Sequence, residues 1–257
     1  MNSFSKIFEK KAFIAFITAG DPNLDATIDF IDKMILAGVS LIEIGIPFSD
    51  PIAEGEVISE ADIRALASKT TTDKIFDALK IVRKKHKDFP LIFMTYANPV
   101  YSYGYDKFFK KCKDTNIKGI IIPDMPYEEK EEVRSVAKLY DVAVISLIAP
   151  TSSTRIKTIA SDAEGFLYLV SSLGVTGVRD KITTDINGMA TEIKKYTDIP
   201  VCVGFGIKSS ESALKMTEVA DGAIIGSAIV NIIAKYKEES PKYVYDFAKE
   251  IVDALNK

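Results

Sequence analysis

The chain is predicted to be an α/β protein, a single (β/α)8 TIM barrel with an extra N-terminal helix and a long loop after strand 2. Three observations support this. Eight short apolar runs rich in β-branched residues recur along the sequence, amphipathic stretches of helical spacing separate them, and no Gly/Ser-rich linker interrupts the series. Residues 1–257 are therefore expected to form one barrel domain. The strand–helix alternation alone also leaves a doubly wound open sheet possible.

The strand runs are 13–17, 40–44, 91–95, 119–122, 142–146, 166–170, 201–204 and 222–225. Most are nearly continuous in apolar residues rather than alternating, as parallel strands covered by helices require. Between them lie helical patterns at 26–37, 72–85, 105–114, 128–139, 185–196 and 209–218, with a short helix at 3–10 before the first strand and a terminal helix at 242–255. The gap after the second run is about twice the usual one and holds GIPFSDPIAEGEVISEADI. That stretch reads as too rich in Pro, Gly, Ser and acidic residues to be core, and long loops of this kind are commonly functional.

Composition narrows the function. With 47% hydrophobic and 27% charged residues there is material for a large core and a solvated exterior. A net charge of -3 with scattered basic residues gives no positive face for nucleic acid. No run approaches the roughly 20 apolar residues of a membrane span, and the N-terminus lacks the pattern of a signal peptide, so a cytoplasmic location without membrane partners is expected. Cys112 and Cys202 stand in unrelated contexts and read as plain thiols. The single histidine, His86 in KKHKD, reads as the solvated end of a helix, which excludes a Ser-His-Asp triad and a multi-histidine metal site.

Glu43 stands inside the strand run SLIEIGIP. The alternation of a strand puts Leu41 and Glu43 on one face and Ile42 and Ile44 on the other. If the isoleucines meet the helices, Glu43 faces the barrel interior, where a carboxyl needs a charge partner, a hydrogen bond or a proton. The other strand runs contain no Lys or Arg, which leaves Tyr96 and Tyr168 as neighbours able to donate. Such a group would exchange protons near neutral pH; the other reading is a strand-end glutamate reaching solvent at the rim. Asp50, Glu54 and Glu56 follow in the long loop, either as a solvated surface or as members of a carboxyl pair with Glu43.

Glycine-bearing turns follow the last three strands, in SSLGVTG, GFGIKSS and IIGSAIV, the last opening a helix. Glycines let backbone N–H groups approach an anion and a helix N-terminus adds a favourable dipole, so Gly177, Gly206, Gly226 and Ser227 are candidate phosphate binders that need no cationic side chain.

The motifs AFITAGDP, IEIGIPFSDP, TYANPV, GVTG, GFGI and GSAIV, in this order, closely resemble the alpha subunit of tryptophan synthase from end to end, IEIGIPFSDP being the most specific. The resemblance implies a retro-aldol cleavage of indole-3-glycerol phosphate to indole and glyceraldehyde 3-phosphate, without metal or organic cofactor. It implies an alpha2beta2 heterotetramer whose beta subunit carries pyridoxal phosphate and receives the indole. It makes Glu43 a catalytic glutamate and puts Glu54 where the family carries its second catalytic carboxylate, an aspartate; Glu56 replaces the usual proline two residues later. By the same resemblance Tyr168 lies near the catalytic glutamate, Phe16 and Tyr96 line the indole pocket, Thr176 and Gly177 belong to a mobile loop over the site, and Gly206, Gly226 and Ser227 bind phosphate. A subunit that mainly activates its beta partner and a stand-alone lyase are the alternatives.

Overall fold

The computed structural model describes residues 4–171, 185–204 and 206–257. Within them nine parallel strands form a nearly closed barrel: β1 (Ala12–Thr18), β2 (Leu41–Gly45), β3 (Leu91–Met94), β4 (Ile117–Ile121), β5 (Ala143–Val144), β6 (Ser146–Ile148), β7 (Leu167–Val170), β8 (Val201–Gly204) and β9 (Gly222–Ile225). The order is β5-β4-β3-β2-β1-β9-β8-β7-β6. Because β5 and β6 follow one another directly, they are two parts of one fifth strand, which runs past the predicted 142–146 to Ile148. The first part pairs with β4, the second with β7. Between them the ladder is interrupted, and the Val144 N–H is taken by the Glu164 carboxylate at 3.2 Å.

The helices are α1 (Leu24–Ala37), α2 (Glu56–Ala67), α3 (Thr72–Lys85), α4 (Ala97–Tyr103), α5 (Tyr105–Asp114), α6 (Lys130–Leu139), α7 (Ile156–Ser161), α8 (Ile186–Ile193), α9 (Ser210–Thr217), α10 (Ser227–Tyr236) and α11 (Ser240–Leu255). Strand alternation sorts the core into two layers. Phe13, Ala15, Ile17, Ile42, Ile44 and Phe93 pack outward against the helices, whereas Ile14, Leu41, Ile92, Tyr168, Cys202 and Ile224 fill the barrel. The short N-terminal helix is a 3₁₀ turn over Ser5–Phe8. It brings Phe4 under the barrel, where its ring meets Phe166 edge to face at 6.2 Å.

The structure corrects several local expectations. The long loop is only partly a loop, because its second half is α2, and Ile58, Ala61, Asp62 and Ala65 are buried along one side of it. These positions recur at helical spacing, which outweighs the acidic composition that suggested an exterior segment. β4 begins at Ile117 and so includes a lysine, Lys118, although this side chain is half-buried and not at Glu43. His86 does end α3, but it is not simply solvated: its Nε2 lies 2.8 Å from Asp32 Oδ1. Cys112 and Cys202 are buried free thiols, and burial pushes both thiols up, which keeps them unreactive.

Candidate active site

In the middle of β2, Glu43 stands opposite Phe16 of β1 and Ile92 of β3. The side chain is 1% exposed and shares the interior face with Leu41, so it does not reach solvent at the rim. Its Oε2 has no hydrogen-bond partner among the described residues. Burial alone pushes this carboxyl from an ordinary value of 4.5 to about 8. Among the described residues no cation opposes the effect.

Tyr168 on β7 is the aromatic neighbour of Glu43. Burial and that nearby carboxyl push its phenol well up, so it stays protonated. Its ring packs over Gly204 of the neighbouring strand β8, where an added Cβ would come within 2.2 Å of the Tyr168 hydroxyl. Any larger residue at 204 would displace the ring.

Tyr96, expected beside Glu43 as a second hydrogen-bond donor, serves the other carboxyl instead. Its hydroxyl accepts the Ala53 N–H at 3.0 Å and donates to Glu54. The reason is positional: Tyr96 follows β3 at the barrel mouth, level with the loop after β2 rather than with the strand interior. The Phe48 ring packs on it at 5.4 Å. Tyr96 still lines the pocket, as expected.

Glu54 ends the loop just before α2 and is raised above the ordinary range by burial. Its other neighbour is Asp62, one turn and a half into α2. Asp62 is 4% exposed, and burial together with the adjacent Glu54 raises its carboxyl strongly. Sequence reading missed Asp62, although Ile58, Ala61 and Ala65 mark the buried face of α2 and Asp62, four residues after Ile58, falls on it. The remaining acids of the loop do not join the site. Asp50 is exposed and accepts from Ser49 Oγ at 2.5 Å. Glu56 is the exposed first residue of α2, where a negative charge suits the helix dipole and the backbone is set by the helix itself.

The phosphate candidates converge on the opposite rim. Gly206 adopts φ +78, a left-handed conformation that favours glycine. Gly226 is the N-cap of α10 and Ser227 its first residue, with no capping side chain to satisfy the first-turn amides. A Cβ on Gly226 would come within 3.0 Å of the Phe16 ring, so this glycine also makes room for Phe16. Thr176 and Gly177 lie outside the described residues.

One cavity of about 730 Å³, its open mouth included, joins these groups. It is lined by Phe16, Glu43, Glu54, Tyr96, Tyr168, Gly206, Gly226 and Ser227, and by the apolar side chains of Ile58, Met94, Leu147, Ile207 and Ile224. None of the described lining residues is Lys or Arg. The result is a largely apolar pocket lined by two carboxyls and by the glycine-bearing turns after β8 and β9. Such a site suits an aromatic phosphate ester and proton transfer to its ring. Among the described residues no group of three or more His, Cys, Asp or Glu is placed to hold a metal ion, and no helix is long and apolar enough to cross a membrane.

Comparison with known proteins shows the family of the chain. A family profile described as "Tryptophan synthase alpha chain" matches residues 4–256. The tryptophan synthase alpha chain of Lacticaseibacillus casei is 44% identical over 257 residues, covering 100% of this chain and 96% of that protein. The alpha chain of Lactiplantibacillus plantarum is 45% identical over 258 residues, covering 100% and 97%. Among solved structures, the tryptophan synthase alpha chain of Legionella pneumophila superposes with a TM-score of 0.90 at 32% identity, covering 100% of this chain and 98% of that one. A chain of the tryptophan synthase a2b2 complex from Pyrococcus furiosus superposes with a TM-score of 0.87 at 32% identity, covering 95% and 98%.

Proposed function

Since the chain belongs to the tryptophan synthase alpha chain family and is a lyase that cleaves indole-3-glycerol phosphate, we propose that Glu43 is its proton-transfer group and Glu54 the acceptor for the indole N–H. The observation that carries this reading is the Glu43 carboxyl, 1% exposed, lining the cavity with its Oε2 unpartnered among the described residues, where burial raises it to about 8.

Retro-aldol cleavage needs a proton on indole C3 and removal of one from the glycerol hydroxyl next to the breaking bond. Protonated Glu43 gives its proton to C3, which leaves the ring electron-deficient. Glu54, as a carboxylate, stabilises that ring by accepting from the indole N–H. The ionised Glu43 then takes the hydroxyl proton. The carbonyl of glyceraldehyde 3-phosphate forms, the electron pair of the broken carbon–carbon bond returns to the ring as indole, and Glu43 is again protonated. Tyr168 borders Glu43 and limits water access to it. Phe16 and Tyr96 hold the indole ring between them. The N–H groups at Gly206, Gly226 and Ser227, with the dipole of α10, bind the phosphate and fix the register of the substrate.

The reaction as written calls for no metal or organic cofactor in this chain; pyridoxal phosphate belongs to a beta partner. The Pyrococcus furiosus relative is part of an a2b2 complex, which supports an alpha2beta2 assembly here; indole passing to the beta subunit and a cytoplasmic location belong to the same proposal. The whole chain, residues 1–257, acts in this reading as one barrel domain.

Release of glyceraldehyde 3-phosphate by wild type and Glu43→Gln tests the assignment. An isosteric amide cannot deliver the proton, so kcat is expected to fall by roughly 10²- to 10⁴-fold with KM little changed. A variant that retains the full rate would remove Glu43 from the mechanism, and equal rates for both proteins at background would leave a subunit that acts mainly on its partner.

A further inference from the structure

Asp62 has no place in the mechanism above, yet it is a buried carboxyl that borders one of the two reactive carboxyls. One oxygen of each, Glu54 Oε2 and Asp62 Oδ2, is sealed from solvent without a donor among the described residues. The two side chains are within hydrogen-bonding reach of each other. Two ionised carboxylates cannot face each other in a dry site, but one proton between them satisfies both. The groups around the pair favour an unequal sharing. Glu54 receives the Tyr96 hydroxyl and borders the cavity, so its charge is better solvated. Asp62 accepts from the Phe48 backbone N–H but also faces the charge of Asp21. Asp21 is itself held by Arg64, Nε to Oδ1 at 2.7 Å and Nη2 to Oδ2 at 2.8 Å, so that arginine is engaged elsewhere. On α2, Glu56 and Glu60 are exposed and point to solvent rather than to the pair.

We propose that Asp62 is a positioning residue for the lyase reaction: it keeps the proton of the pair, donates a hydrogen bond to Glu54, and so holds Glu54 as an oriented carboxylate at the edge of the indole slot. The inference rests on the reading of Glu54 given above. Burial raises both carboxyls, and the hydrogen bond from Asp62 opposes that rise at Glu54 and so favours its anionic form. The pair then carries one negative charge in total, which is the charge needed to face an electron-deficient indole ring.

Two substitutions of nearly equal size separate donation from packing. Asp62→Asn retains an N–H donor toward Glu54, whereas Asp62→Leu fills the space without one. In the full chain, Asp62→Asn is expected to stay within about threefold of wild-type kcat/KM and Asp62→Leu to lose roughly 10- to 100-fold, the worth of a hydrogen bond to a charged group. In a Glu54→Gln background the difference between the two should vanish. Equal rates for Asn and Leu, or a difference that persists without Glu54, would overturn the proposal. Carboxyl carbon-13 resonances give a readout independent of turnover. The wild-type pair should hold one proton at pH 7, and Glu54 should titrate at higher pH in Asp62→Leu than in Asp62→Asn. If these resonances behave as described while Glu54→Gln is fully active, the shared proton stands and the role of Glu54 falls. If both carboxyls are ionised at pH 7, the shared proton falls whatever the kinetics show.

Discussion

The two carboxyl centres of the cavity are built in opposite ways. Glu43 projects from a strand into the apolar barrel, with an unpartnered oxygen and burial as the sole cause of its raised value. Glu54 sits where a loop becomes a helix, in contact with Tyr96 and Asp62. In the proposed reading the first is a proton store set by burial without a cation, and the second an anion favoured by the donors around it. In the proposed mechanism, the contrast would let one pocket hold an acid and a base at the same pH by giving each a different environment rather than a different side chain.

The largest effect that would break this contrast is on the networked side. Glu54→Asp restores the residue type that the resemblance led us to expect, but shortens the side chain by one methylene. Because Tyr96 and Asp62 meet the glutamate, a retreat of about 1 Å should cost on the order of 10²-fold in kcat/KM. A rise in activity would mean that the loop is not adapted to the longer side chain.

The solitary side is sharpened by stability. Above pH 4.5 the unfolded chain releases the Glu43 proton, whereas the folded chain keeps it until about pH 8. The folded state thus binds more protons in this window, and its stability falls as pH rises from 4.5 to about 8, then levels off. The rise from 4.5 to about 8 sets an upper limit of about 5 kcal/mol. Glu43→Gln has no such loss. Thermal melts should show the variant more stable than wild type by at least about 2 °C at pH 8.5, with no gap at pH 4.5. Parallel melting curves across this range would mean that Glu43 is paired or solvated.

Much of this was readable beforehand, for identifiable reasons. Period-two alternation at Leu41, Ile42, Glu43 and Ile44 set which face of β2 points inward, and the structure agrees. Helices α3 and α5 were legible to the residue because their apolar spacing is regular and their ends are polar. What escaped depended on contacts distant in sequence. The break between β5 and β6 involves Glu164 from a later segment. The engagement of Tyr96 with Glu54 depends on how far the loop after β2 reaches across the mouth. Asp62 was hidden by composition, since acids around it suggested solvent. The helical spacing of Ile58, Ala61 and Ala65 was the stronger signal.

The account rests on Glu43 meeting a substrate anchored by its phosphate on the opposite rim, and a crystal structure of the Glu43→Gln variant with indole-3-glycerol phosphate tests it most directly. We predict phosphate oxygens within hydrogen-bond distance of the backbone at Gly206, Gly226 and Ser227, and the residue 43 side chain in contact with indole C3. A phosphate bound elsewhere, or a residue 43 side chain directed away from the ring, would contradict it.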